Sequence, residues 1–228
     1  MDQAAALRSR AGHALLLDCR DGQVEHVPLD LAASGLELLV TDTRAEHRLV
    51  DGQYARRREV CEQAARRLGV PDLRAVADAV MGGGSALDEI LAGLPDGEER
   101  ARVRHVVTEI ERVRFLVARL RDDPDGPLRG GSLNRVAEAL DASHESLRDD
   151  YEVSSPELDL AVAAARGAGA HGARMTGGGF GGSSIALVDG DLSGTVMSAV
   201  ATAFEEAGLA APGFLRATAS PAAGRVSG

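Results

Sequence analysis

The chain has 228 residues, of which 44% are hydrophobic, and a formal net charge of −10; all 25 of its basic residues are arginine. That length can bury a core of its own, the acidic balance is wrong for a nucleic-acid partner, and no apolar run approaches the ~20 residues a membrane helix needs. The lack of lysine excludes a Schiff base, a lysine general base and the G-x-x-x-x-G-K-[ST] phosphate loop.

Residues 13–19 (HALLLDC) and 35–43 (GLELLVTDT) read as strands, short apolar runs bounded by charged or turn residues, with Asp21-Gly22 as a turn signal between them. The two cysteines, Cys19 and Cys61, are too few for a disulfide framework and lack metal-ligand spacing. With no apolar leader in residues 1–10, they place the chain in the cytoplasm with reduced thiols. Residues 53–68 switch to helical period, with Val60, Ala64 and Leu68 on one face. Arg56, Arg57 and Arg58 at the start of this helix oppose its dipole. Either a local acidic partner or a solvated face accommodates them, and the solvated face is the expectation.

Gly69-Val70-Pro71 closes that helix, and residues 81–87 (MGGGSAL) read as a loop or a helix break. The strongest helix spans residues 98–121, where Val103, Val106, Ile110, Val113, Val117 and Leu120 form a narrow stripe suited to packing on other helices. After a connector at residues 122–131, another helix starts near Ser132 with Leu133, Val136 and Leu140 on one face. Ser155-Pro156-Glu157 is a helix start with Ser as N-cap and Pro at the first helical position, and the helix ends at Gly167 or Gly169. Residues 183–188 are a strand, 192–207 a helix stopped by Gly208, and 213–220 a final strand before a loose tail. The sum is an α+β chain: strands first, a helical middle, then β-α-β.

Residues 175–182, MTGGGFGG, place five glycines in six positions. Glycine loses more conformational freedom on ordering than any other residue, so the cluster has a geometric purpose: a flexible hinge, or a close approach to a ligand or another backbone. Placed after a helix and before a strand, it reverses the strand–glycine–helix order of phosphate cradles, which leaves close approach as its use. None of the six histidines has a neighbour at metal-site spacing. Asp149, Asp150 and Glu152 suit either a metal or a solvated turn capping two helices, and the turn is the expectation.

Two stretches together resemble a known family. SHESLRDDYEVSSPELD (143–159) followed by GARMTGGGFGGSSIALV (172–188) is similar to the C-terminal half of galactokinases, members of the galacto-, homoserine, mevalonate and phosphomevalonate kinase superfamily. MDQ (1–3) with AGHALLLDCR (11–20), GQYARRREVCEQAARRLG (52–69) and ARVRHVVTEIERV (101–113) agree in order and spacing, so the resemblance covers nearly the whole chain. It departs at Ser155, where the family usually has cysteine, and, more seriously, in lacking the G-E-H-T-D-Y sugar stretch and the P-x-G-x-G-L-S-S-S nucleotide loop.

The resemblance implies the C-terminal domain of the sugar-kinase fold (residues 51–228) with a remnant of the N-terminal domain sheet (1–50). It implies that Asp2 is the catalytic carboxylate facing the sugar C1 hydroxyl, and that Tyr54 contacts galactose. Gly177, Gly178, Gly179, Gly181 and Gly182 would form the loop beside sugar and phosphate. ATP is the implied second substrate and Mg2+ the implied metal, both needing residues this chain does not contain; the missing N-terminal half is an implied partner. A chain beginning midway through the family's length is expected to be inactive alone and to expose residues 13–19 and 35–40 as unpaired strand edges. A non-catalytic sugar sensor and an N-acetylgalactosamine kinase are the alternatives.

Overall fold

The computed structural model describes residues 2–45, 52–81, 84–95, 97–122 and 128–224. A short helix, α1 (Asp2–Arg8), leads into an antiparallel hairpin of β1 (His13–Leu17) and β2 (Val24–Pro28), with Leu15 opposite His26. The expected turn at Asp21-Gly22 is present: Asp21 accepts from the Gln23 amide, and Gly22 takes φ +74. Neither α1 nor β2 is legible in the sequence. The β2 segment VEHVP contains a proline and only two valines, and it is held by its partner strand.

The next strand, β3 (Leu36–Asp42), corrects an expectation. It is not an unpaired edge; it lies hydrogen-bonded between two strands from the far end of the chain. This sheet takes in residues from both sides of position 50, the boundary that the resemblance implies.

Helices α2 (Gln53–Arg67), α3 (Leu73–Ala79), α4 (Gly84–Ala92) and α5 (Glu98–Asp122) form the helical middle. They enclose Ala64, Val76, Ala77, Leu94, Val103 and Val107, all nearly inaccessible. Asp72 caps α3 through the Ala75 amide. The first half of the stripe on α5 packs on this core, with Val103 buried and Val106 and Ile110 half-buried. Val113 is 47% exposed, because the β1–β2 hairpin stands off α5 and leaves a groove of about 990 Å³ bounded by Leu16, Leu17, Val113 and Val117.

The chain continues through α6 (Gly130–Glu145), one wider π-type turn at Ser146–Asp150, and α7 (Pro156–Gly167), capped as expected by the Ser155 hydroxyl on the Leu158 amide. Strands β4 (Gly172–Thr176) and β5 (Ser183–Asp189), helix α8 (Ser193–Glu206) and strand β6 (Gly213–Ala217) complete an antiparallel sheet in the order β4-β5-β3-β6. Period-2 alternation sends Ala186 and Val188 to one face, against Val196, Val200 and Phe204 of α8 and Ala161 of α7. Leu187 goes to the other face, against Leu36 and Leu133 of α6. The sheet is therefore the middle of three layers. Phe204 of α8 and Leu39 and Val188 of the sheet are fully buried between these layers, each contributing about 1.5–3 kcal/mol.

Candidate functional site

The five glycines sit in a hairpin turn. The order helix–glycines–strand is corrected: β4 precedes the turn and β5 follows it, antiparallel, with Thr176 opposite Ser183. The GARMT segment hides its strand character because only Ala173 and Met175 face the core. Four of the glycines need left-handed backbone, Gly177 (φ +84), Gly179 (+84), Gly181 (+129) and Gly182 (+86), and Phe180 joins them at +60. A non-glycine residue there is uncommon and marks a place where the surroundings impose the conformation.

Two of these glycines are required by what stands against them. A Cβ on Gly178 would come within 2.5 Å of the Tyr54 hydroxyl oxygen, and one on Gly179 within 2.2 Å of the Val153 carbonyl oxygen. The Phe180 amide donates to that same carbonyl at 2.7 Å. On the far side, the amide and hydroxyl of Thr43 both donate to the Gly182 carbonyl, at 2.9 and 2.7 Å. The turn is thus clamped between the end of β3 and residues 151–153, with Tyr54 on its outer face. The Tyr54 ring meets that of Phe180 edge-on, centroids 5.5 Å apart. Burial holds the Tyr54 phenol above its ordinary ionisation range, although the residue is 45% exposed.

Beneath the turn lies Arg57, one helical turn after Tyr54 and 6% exposed. Its Nε donates to the Tyr151 carbonyl (2.7 Å), its Nη2 to the Glu152 carbonyl (2.6 Å) and its Nη1 to both carbonyl oxygens of Gln53 (3.1 and 2.8 Å). Its guanidinium also lies 5.1 Å from the Phe180 ring centre. The expectation of a solvated arginine face is corrected at Arg57 and holds for Arg56 and Arg58, whose side chains are exposed. Arg57 is buried, Arg56 pairs with Glu98 at 3.0 Å and Arg58 with Glu62 at 2.8 Å.

A second buried arginine, Arg102, donates to Glu98 (3.1 Å), Glu152 (2.6 Å) and the Asp150 carbonyl. Next to it, His105 bonds the Ser146 hydroxyl at 2.9 Å and stacks on Tyr151 at 4.3 Å; burial lowers its pKa to about 4. Asp149, Asp150 and Glu152 each face a different arginine: Arg148 at 2.8 Å, Arg104 at 2.7 Å and Arg102 at 2.6 Å. A cleft of about 890 Å³ opens between the first turns of α2 and α5, lined by Gln53, Arg56, Arg57, Glu98 and Arg102.

The structure therefore brings Tyr54 to Gly178 and residues 151–153 to Gly179 and Phe180. Asp2 opens α1, which packs on β1 and accepts from the Ala223 amide of the tail through the Ala6 carbonyl; the Asp2 side chain lies outside the described residues. Sequence reading missed Arg57, Arg102, Val153 and Phe180. The signal for Arg57 was present, since three arginines at a helix start are unfavourable unless something accepts their hydrogen bonds. Nothing local marks Val153, whose role is carried by its carbonyl.

The glycine hairpin of this three-layer α+β unit is thus held by Tyr54 and by residues 151–153, which follow the π-type turn. Residues 127–206 match the family described as "GHMP kinases C terminal". Along nearly its whole length it is homologous to galactokinases. It is 48% identical to that of Streptomyces coelicolor, over 99% of this chain and 55% of that one, and 41% identical to that of Mycobacterium bovis, over 98% and 57%. Lactococcus lactis galactokinase, solved with galactose, superimposes with a TM-score of 0.79 at 29% identity, over 93% of this chain and 52% of that one. The chain spans about half the length of the curated relatives it matches.

Proposed function

We propose that this chain supplies the sugar-facing C-terminal part of a galactokinase, which transfers the γ-phosphate of ATP to the C1 hydroxyl of galactose. The observation that supports this most is the Tyr54 hydroxyl held against the backbone of Gly178, a half-exposed aromatic edge beside a residue with no side chain to block a sugar. Asp2 is the residue assigned to take the C1 hydroxyl proton as that oxygen attacks phosphorus. Tyr54 binds the sugar, and Gly177, Gly178, Gly179, Gly181 and Gly182 let substrate and backbone come close. Both cysteines are free thiols, in keeping with a cytoplasmic enzyme.

The 228 residues do not by themselves turn over in this reading. Phosphoryl transfer is mostly positioning and charge stabilisation, and the sequence has no P-x-G-x-G-L-S-S-S loop to cradle ATP. Magnesium is the metal the family implies. Among the described residues no group of three or more His, Cys, Asp or Glu side chains is placed to hold it.

The test is to join this chain to the part of the Streptomyces coelicolor galactokinase that it does not match, and to assay galactose 1-phosphate. The joined protein is expected to phosphorylate galactose, the chain alone is not, and Asp2→Asn in the joined protein is expected to abolish turnover with galactose still bound. An inactive joined protein, or an active Asp2→Asn variant, overturns the assignment. Galactose binding without turnover would support a sugar sensor instead.

A further inference from the structure

We infer that Arg57 is a positioning residue for Tyr54: it pins Glu152 and Phe180 and so seats the glycine turn against the tyrosine hydroxyl. The consequence for the sugar rests on the binding role proposed for Tyr54, whereas the positioning does not.

Glu152 (φ +56) and Phe180 (φ +60) are two of the non-glycine residues held in left-handed backbone, and they flank one hydrogen bond, Phe180 amide to Val153 carbonyl at 2.7 Å. Such conformations persist only where their surroundings over-determine them. Arg57 touches both. Nη2 holds the Glu152 carbonyl at 2.6 Å, Nε holds the preceding carbonyl of Tyr151 at 2.7 Å, and the guanidinium lies 5.1 Å from the Phe180 ring centre. The guanidinium is aimed in turn by Gln53, which accepts from Nη1 through its backbone and side-chain oxygens. Tyr54 and Arg57 stand at i and i+3 on α2, on one face of the helix. The residue that would contact the sugar and the residue that shapes the turn beside it are thus fixed by one rigid element. Lysine keeps the charge but has no planar fork to hold two successive carbonyls and cover a ring at once.

The composition supplies a local probe. The chain has no tryptophan and two tyrosines, Tyr54 and Tyr151. In a Tyr151→Phe background of the full 228-residue chain, the near-ultraviolet tyrosine circular dichroism band therefore comes from Tyr54 alone. Arg57→Lys in that background is expected to lose most of this band with far-ultraviolet signal retained. Arg58→Lys, which changes an exposed arginine paired with Glu62, should leave it unchanged. Gln53→Ala removes only the side-chain acceptor that aims the guanidinium and should diminish the band less; it carries the test if the lysine variant does not fold. In the joined enzyme, Arg57→Lys should raise the galactose KM about tenfold with the ATP KM unchanged. An unchanged Tyr54 band in Arg57→Lys, or in Gln53→Ala where the lysine variant does not fold, overturns the inference. A lost band with an unchanged galactose KM in the joined Arg57→Lys enzyme keeps the inference and overturns the sugar role of Tyr54.

Discussion

The Val153 carbonyl oxygen accepts from the Phe180 amide at 2.7 Å and stands 2.2 Å from where a Cβ on Gly179 would be. Gly178 is as crowded, but by a side-chain tip: the Tyr54 hydroxyl at 2.5 Å, with the ring carbon behind it at an ordinary 3.5 Å. The two glycines should therefore respond differently. Gly179→Ala meets backbone and carries left-handed strain (φ +84), and should cost about 3 kcal/mol or more in urea unfolding. Gly178→Ala should cost less, and Tyr54→Phe, which removes the obstructing oxygen, should recover most of it. Tyr54→Phe should recover nothing for Gly179→Ala. Equal rescue of both would mean that the turn is not held as described.

Gly172 tests a different contact in the same way. A Cβ there would meet the Ala137 carbonyl oxygen at 2.5 Å and its Cα at 2.7 Å, because α6 runs against the start of β4. No rotamer change relieves a backbone clash. Gly172→Ala should destabilise by about 2–4 kcal/mol, read as a lower urea midpoint at unchanged slope. A midpoint within error of the parent would show that α6 can move off the sheet.

Arg102 and Arg56 share Glu98, but at very different depths. The Arg102 side chain is 2% exposed and binds Glu98, Glu152 and the Asp150 carbonyl, whereas that of Arg56 is 73% exposed and binds Glu98. Breaking a buried pair on one side leaves its partners unsatisfied, so Arg102→Met should cost about 3–5 kcal/mol. Screening by water leaves the exposed pair worth less than about 1 kcal/mol, which is the expected cost of Arg56→Ala. Comparable losses from the two variants would contradict this ranking of burial over ion-pair count.

The elements with strong periodicity or explicit caps were legible in the sequence: α5 within a residue at its C-terminal end, the Ser155 cap of α7, and β5. What could not be read was tertiary. β2 and β4 are strands because of their partners, since VEHVP and GARMT carry little β signal alone. The glycine cluster announced a close approach without naming the neighbours, because Tyr54 and Val153 lie 124 and 26 residues from Gly178 and Gly179 respectively. Arg57 looked like part of a charged surface run, and only the carbonyls of residues 151 and 152 explain its burial.

Acid should loosen the site through His105. Burial lowers its pKa from 6.5 to about 4 in the folded chain; the nearby Glu109 and Asp150 oppose that shift, and Arg112 and Arg102 reinforce it. The unfolded chain therefore binds more protons than the folded one between these two values, and stability rises with pH across that window. The contribution is full above pH 6.5 and lost as pH falls towards 4, with about 2 kcal/mol gone by pH 5. Burial lowers the His144 pKa as well, so its effect has the same sign. His105→Phe keeps a ring against Tyr151 but has no proton to gain, and urea midpoints measured from pH 7 to pH 5 should fall less steeply for it than for the parent. If parent and variant lose stability equally over that range, His105 is not buried in its neutral form against Ser146 and Tyr151.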